Sequence, residues 1–147
     1  MEQEKLFKIG IILLFATVIA MLIYGILYIS TGTIPQSSLD FIGMTEAEIS
    51  AFSSELMIVI SYQIRLVGIA YISLGIAYIL ILNFGFRKKE KWAWIALLIA
   101  TVGFVGPLLL MSLLIFPIDI DIIILIITLI IQIGGAILTY KSFFGAE

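Results

Sequence analysis

Apolar residues fall along this chain in long unbroken runs, not in the two-residue or three-to-four-residue alternations of half-buried elements. The first run extends from Ile9 to about Ile29, and only Thr17 and two tyrosines interrupt its aliphatic character. The second covers roughly 56–84, the third 92–116 and the fourth 122–143. About 20 residues at ~1.5 Å each match the ~30 Å hydrocarbon core of a bilayer. The pattern predicts an all-α fold, a four-helix transmembrane bundle that forms one domain over residues 1–147. The first run is too long for the apolar core of a cleavable signal peptide, and Ser30-Thr31-Gly32-Thr33 offers no small-x-small site.

One long polar stretch, 30–55, breaks this regularity. Gly32, Pro35 and several hydroxyls make Ser30–Ser38 turn-like. Thr45 and Glu48 then have the spacing of a capping box, with Met44 and Ile49 placed as a hydrophobic staple. Ile49, Phe52 and Leu56 share a helical face. A short amphipathic helix is therefore predicted in the first extracytoplasmic loop, running into span two with a bend at Ser53-Ser54. Its role is open between a cover for the bundle end and a docking or gating surface.

Charge sets the orientation. Lys5, Lys8, Arg87, Lys88, Lys89, Lys91 and Lys141 all flank the runs on the side of the two termini and the central link. The other two loops are acidic, with Asp40, Glu46, Glu48 and Glu55 in the first and Asp119 and Asp121 in the last. The positive-inside rule then places both termini in the cytoplasm of a multi-pass cell-membrane protein. Composition agrees: 63% of the 147 residues are hydrophobic, 12% are charged, and mean hydropathy is +1.26, far from a soluble domain's balance.

The chain contains no Cys and no His. Disulfides, thiol catalysis, iron–sulfur clusters and His-ligated metals or haem are thereby excluded, and no cofactor and no metal site is expected. No nucleophile–base pair or phosphate-binding loop is visible, so a non-enzymatic role is favoured. The basic link is too short to read nucleic acid and suits contact with anionic membrane lipids.

The candidate binding residues are few. Arg65 is the single charge inside an apolar run. It lies about 20 residues from the basic end of its span, hence near the outer boundary. It can pair with Glu55, Asp119 or Asp121, or hold a ligand head group. Tyr62 sits beside it. Tyr71 and Tyr78 are seven apart on a stripe with Gly68 and Gly75, which suits either close packing or the wall of an apolar pocket. Gln132 is polar at mid-depth and must face the bundle, and Pro107 should kink span three. Asp119 and Asp121 read as an exposed acidic turn.

Arg65-Leu66-Val67-Gly68, Gly75, Phe86-Arg87-Lys88-Lys89 and Trp92-Ala93-Trp94 resemble a pattern in DoxX-like small four-span membrane proteins. The resemblance covers about 30 residues. It implies a four-helix bundle and, for some members, association with membrane oxidoreductases or quinone. Two functional classes follow: an accessory subunit or binder of lipid or quinone-like molecules, alone, as a homo-oligomer or in a larger membrane complex; or a small transporter or channel acting as an oligomer.

Overall fold

The computed structural model describes residues 2–116, 118 and 120–145, so Asp119 and Pro117 lie outside the described residues. Helix α1 (Glu2–Thr31) leads into two short helices, α2 (Gln36–Ile42) and α3 (Glu46–Phe52). Helix α4 (Ser54–Ile81) continues through a π-helical turn at Leu82–Phe86. Helices α5 (Lys91–Ala100) and α6 (Gly106–Ile115) are joined by a second π-helical turn at Thr101–Val105, and α7 (Ile120–Phe144) closes the chain. Among the described residues there is no strand. Four continuous helical segments, Glu2–Thr31, Ser54–Phe86, Lys91–Ile115 and Ile120–Phe144, are long and apolar enough to cross a membrane. Their outward faces are aliphatic: Ile12, Ile58, Leu114 and Ile137 are each about two-thirds exposed or more.

Helix α1 is the hub, packing most extensively against α4 and α7. Both contacts are made backbone to backbone. A methyl group built on Gly25 would lie 2.9 Å from the Gly68 carbonyl oxygen, and one on Gly68 only 2.8 Å from that of Gly25. Gly10 and Gly135 repeat this between α1 and α7, at 2.9 Å and 3.1 Å. Small residues at such crossings let apolar helices approach without a solvent-driven force between them.

The side-chain core is concentrated at the end that carries the basic residues. Phe7 and Phe86 stack there with Phe143 tilted against both, in one cluster with Leu14, Leu82, Ala93 and Leu97. The link after Phe86 closes with Lys89 in the left-handed region (φ 58°). The Lys89 amide donates to the Phe86 carbonyl and the Glu90 amide to that of Gly85, which is a Schellman stop. Lys89 also holds its ammonium over the Phe7 ring.

Three local features refine the expectations from sequence. The capping box forms as expected: the Thr45 hydroxyl accepts from the Glu48 amide, and Glu48 accepts from the Thr45 amide at 2.8 Å. The bond from the Thr45 amide, and after it one that the Thr45 hydroxyl donates to Glu48 Oε2 at 2.8 Å, hold the Glu48 carboxyl below its ordinary range. The turn-like reading of Ser30–Ser38 gives way in part to α2. Pro35 precedes this helix, Gly43 ends it at φ 71°, and Gln36 bonds Asp40 one turn on. Just before Pro107, where a kink is expected, the helix widens into the π turn Thr101–Val105. Proline removes one amide and crowds the carbonyl four residues back, and a π turn relieves both.

Candidate functional site

At the acidic end of the bundle the four long helices line a partly open cavity of about 290 Å³. Helix α1 contributes Met21, Tyr24 and Tyr28; α4 contributes Ile64, Val67 and Tyr71. Leu108 and Ser112 on α6 and Leu125 and Thr128 on α7 complete the wall, with Asp121 at the start of α7. Pro35, Ser37 and Ser38 cover it. The lid is thus the start of α2, while α3 packs along α4 over a smaller apolar hollow shared by Met44, Ile49 and Phe52.

The cover is anchored at three places. Ser37 is buried. Phe41 meets Phe116 edge to face at 5.6 Å. The Ile34 amide donates to Glu46 Oε1 at 2.7 Å, tying the linker to the first turn of α3. Inside, the aromatic rings form an edge-to-face series: Tyr24–Tyr28 at 6.2 Å, Tyr28–Tyr71 at 6.2 Å and Tyr71–Phe104 at 5.8 Å. Each spacing lies in the favourable range for aromatic pairs.

Of the five candidates read from sequence, the structure brings one, Tyr71, to the cavity wall. Tyr62 points outward and is 58% exposed. Tyr78 lies about two turns deeper, fully buried, with its hydroxyl 2.9 Å from Thr101 Oγ1. Gln132 faces the bundle and is completely buried. Its Nε2 contacts Met21 Sδ at 3.8 Å, while Oε1 has no partner. Met21 separates it from the cavity as a wall residue.

Arg65 is exposed, and among the described residues its partner is a backbone carbonyl, not a carboxylate: Nη1 donates to Ile29 O at 2.6 Å. The reason lies in how α1 ends. Gly32 adopts φ 61°, and its amide donates to Tyr28 O. This left-handed stop satisfies one terminal carbonyl and leaves that of Ile29 over, and Arg65 caps it from α4. Of the three carboxylates expected as partners, Glu55 instead accepts from the Ser53 hydroxyl at 3.0 Å, Asp121 stands at the cavity wall, and Asp119 lies outside the described residues. Arg65→Leu should therefore loosen the end of α1 by about 1 kcal/mol, the sum expected of one exposed hydrogen bond and a charge at a helix C-terminus. Arg65→Lys should keep part of it. Hydrogen exchange at residues 30–34 in the two variants is the check: equal protection in both would show that the cap contributes nothing.

Sequence reasoning missed Tyr24, Tyr28 and Ser37 and took Asp121 for part of an exposed turn. Asp121 is half-buried in the cavity wall. The available signal was the pair Tyr24 and Tyr28, one helical turn apart in an otherwise aliphatic run. Asp121 has none, because its surroundings come from three other helices. Among the described residues no group of three His, Cys, Asp or Glu could hold a metal ion. No protein-family model, no curated protein and no solved structure matches the chain.

Proposed function

We propose that this chain is a multi-pass membrane protein with both termini in the cytoplasm, and that it binds a small apolar or amphipathic molecule without catalysing a reaction. The cavity carries the reading: it is lined by four helices, walled mainly by aliphatic and aromatic side chains, and bordered by the start of α2. Its volume of about 290 Å³ falls at the low end of the range for ligand sites. That suits one ring or a short chain better than a two-chain phospholipid. The quinone head group implied by the DoxX-like resemblance is of this size class. The exposed aliphatic faces support burial in lipid, since water would tolerate no such belt on a monomer.

Two experiments test the two halves of this proposal. The chain has no native cysteine, so Ser50→Cys and Lys88→Cys, both at exposed positions, can be labelled singly in intact cells. A membrane-impermeant thiol reagent should reach Ser50→Cys only; equal labelling of both refutes the orientation. For the cavity, the protein is purified in mild detergent and its bound small molecules are extracted and weighed by mass spectrometry. Leu125→Trp should fill the cavity, leave the folded yield unchanged and abolish the bound species. A wild-type protein that carries nothing beyond empty micelles ends the binding reading.

A further inference from the structure

Gln132 is completely buried on α7, and among the described residues its Oε1 accepts no hydrogen bond. Its Nε2 contacts a thioether, Met21 Sδ at 3.8 Å, and sulfur is a weak acceptor. Buried hydroxyls on the same two helices are committed elsewhere. Thr17 donates to the Leu14 carbonyl, and Thr139 to those of Gly135 and Ala136. A buried acceptor left unmet is costly, because it has given up water and gained no partner. The place of this amide decides what it can do. Thr128, one turn before it on α7, lines the cavity, and so does Met21 from α1. Gln132 therefore lies directly behind the cavity wall, with the Met21 side chain between. Methionine is unbranched, has three rotatable bonds and adapts its shape readily. A rotation of Met21 gives up one weak contact and opens the amide to the cavity.

We infer that the cavity takes a compact apolar molecule bearing a neutral hydroxyl, which displaces Met21 and donates to Gln132 Oε1. This deepens the reading of the cavity as a binding site and rests on it. A ligand without a donor would leave Oε1 unmet. A charged donor would have to shed its hydration among mainly apolar side chains, and a neutral hydroxyl sheds far less. A water molecule in the same place would need about two to four polar partners, and the protons of Thr17 and Thr139 are already spent.

The test uses two probes with one apolar body: 4-butylphenol and 4-butylanisole, its methyl ether, which has no proton to donate. Each is titrated calorimetrically at neutral pH into the purified full chain in detergent, with empty micelles subtracted. The phenol should bind about two- to tenfold more tightly, the range for one neutral hydrogen bond. Gln132→Leu removes the acceptor at similar volume and relieves an unmet polar group, so the variant should fold. It should bring the phenol down to the ether's affinity while the ether is unchanged, which also certifies the cavity. Met21→Ala removes the side chain that the phenol must displace and should widen the gap between the probes. Equal binding of both probes to the wild type, or a preference that survives Gln132→Leu, overturns the hydroxyl assignment and leaves the cavity a binding site. A gap that fails to widen in Met21→Ala overturns the displacement of Met21. Absence of binding by either probe to the wild type overturns both the assignment and the binding site.

Discussion

Gly68→Leu should leave little folded protein. The substitution places a side chain where the Gly25 carbonyl oxygen already lies 2.8 Å from a hypothetical methyl, with the Ile29 amide at 3.0 Å. Backbone cannot yield as a flexible side chain can, so α1 and α4 must separate along their length. Overpacking a core costs about 1–3 kcal/mol where side chains can shift; here the loss should reach or exceed the upper figure. Gly134→Ala supplies the contrast. Nothing lies within 4 Å of a methyl group there, and alanine favours a helix interior by up to about 1 kcal/mol. Monodisperse yield and resistance to SDS-induced unfolding should fall for the first variant and hold or rise for the second. A stable Gly68→Leu protein would show that the two helices are not in backbone contact.

The second large effect is expected at Phe86. Its side chain is fully buried, 4.6 Å from the Phe143 ring and 6.1 Å from that of Phe7. Phe→Ala in a soluble core costs about 3–5 kcal/mol. In a bilayer the transfer component shrinks, because the separated helix already sits among apolar tails. The void and the lost dispersion contacts remain, so a loss of about 3 kcal/mol is expected. Phe86 lies at the basic end and the cavity at the acidic end, so the small molecule retained after purification should not change in whatever fraction stays folded. SDS titration followed by circular dichroism reads the first quantity, mass spectrometry of the extract the second. A loss below about 1 kcal/mol would mean that the aromatic cluster does not hold the basic end together.

The four long helices were legible because each is written as an unbroken apolar run, and their boundaries differ from the sequence reading mostly by a turn or less. The exception is α1, which begins at Glu2, well before Ile9. Its first turns are charged yet helix-favouring, and Lys8 pairs with Glu4 one turn back at 2.8 Å. The capping box was legible because its members are neighbours in sequence. Helix α2 was not, since seven residues carry too little periodicity to outweigh a proline and two serines.

The cavity was legible only at Tyr71. Residues seven apart were expected to share a role along a stripe, but Tyr71 and Tyr78 sit at different depths and meet different neighbours. The first reaches the cavity and the second meets Thr101 in the tight half of the bundle. Depth along a helix is readable from sequence. Which other helix stands opposite at that depth is not.

The position of α1 between α4 and α7 bears on how the protein is made. Chains are synthesised from the N-terminus at about 5–20 residues per second. The glycine faces of α1 therefore emerge first, while Gly135, which Gly10 must meet, lies on the last helix. On the membrane reading proposed above, α1 is during that interval a membrane helix without its partners. Its apolar length is at ease in lipid, and a bare glycine face incurs no penalty there that a soluble helix would suffer. Gly25 can dock on Gly68 as soon as α4 arrives, but the Gly10 contact and the cavity both wait for α7. On that reading, biogenesis should pass through an intermediate paired at one crossing and still without its cavity, and a chain arrested before α7 should be recognised as unfinished by its open α1 face.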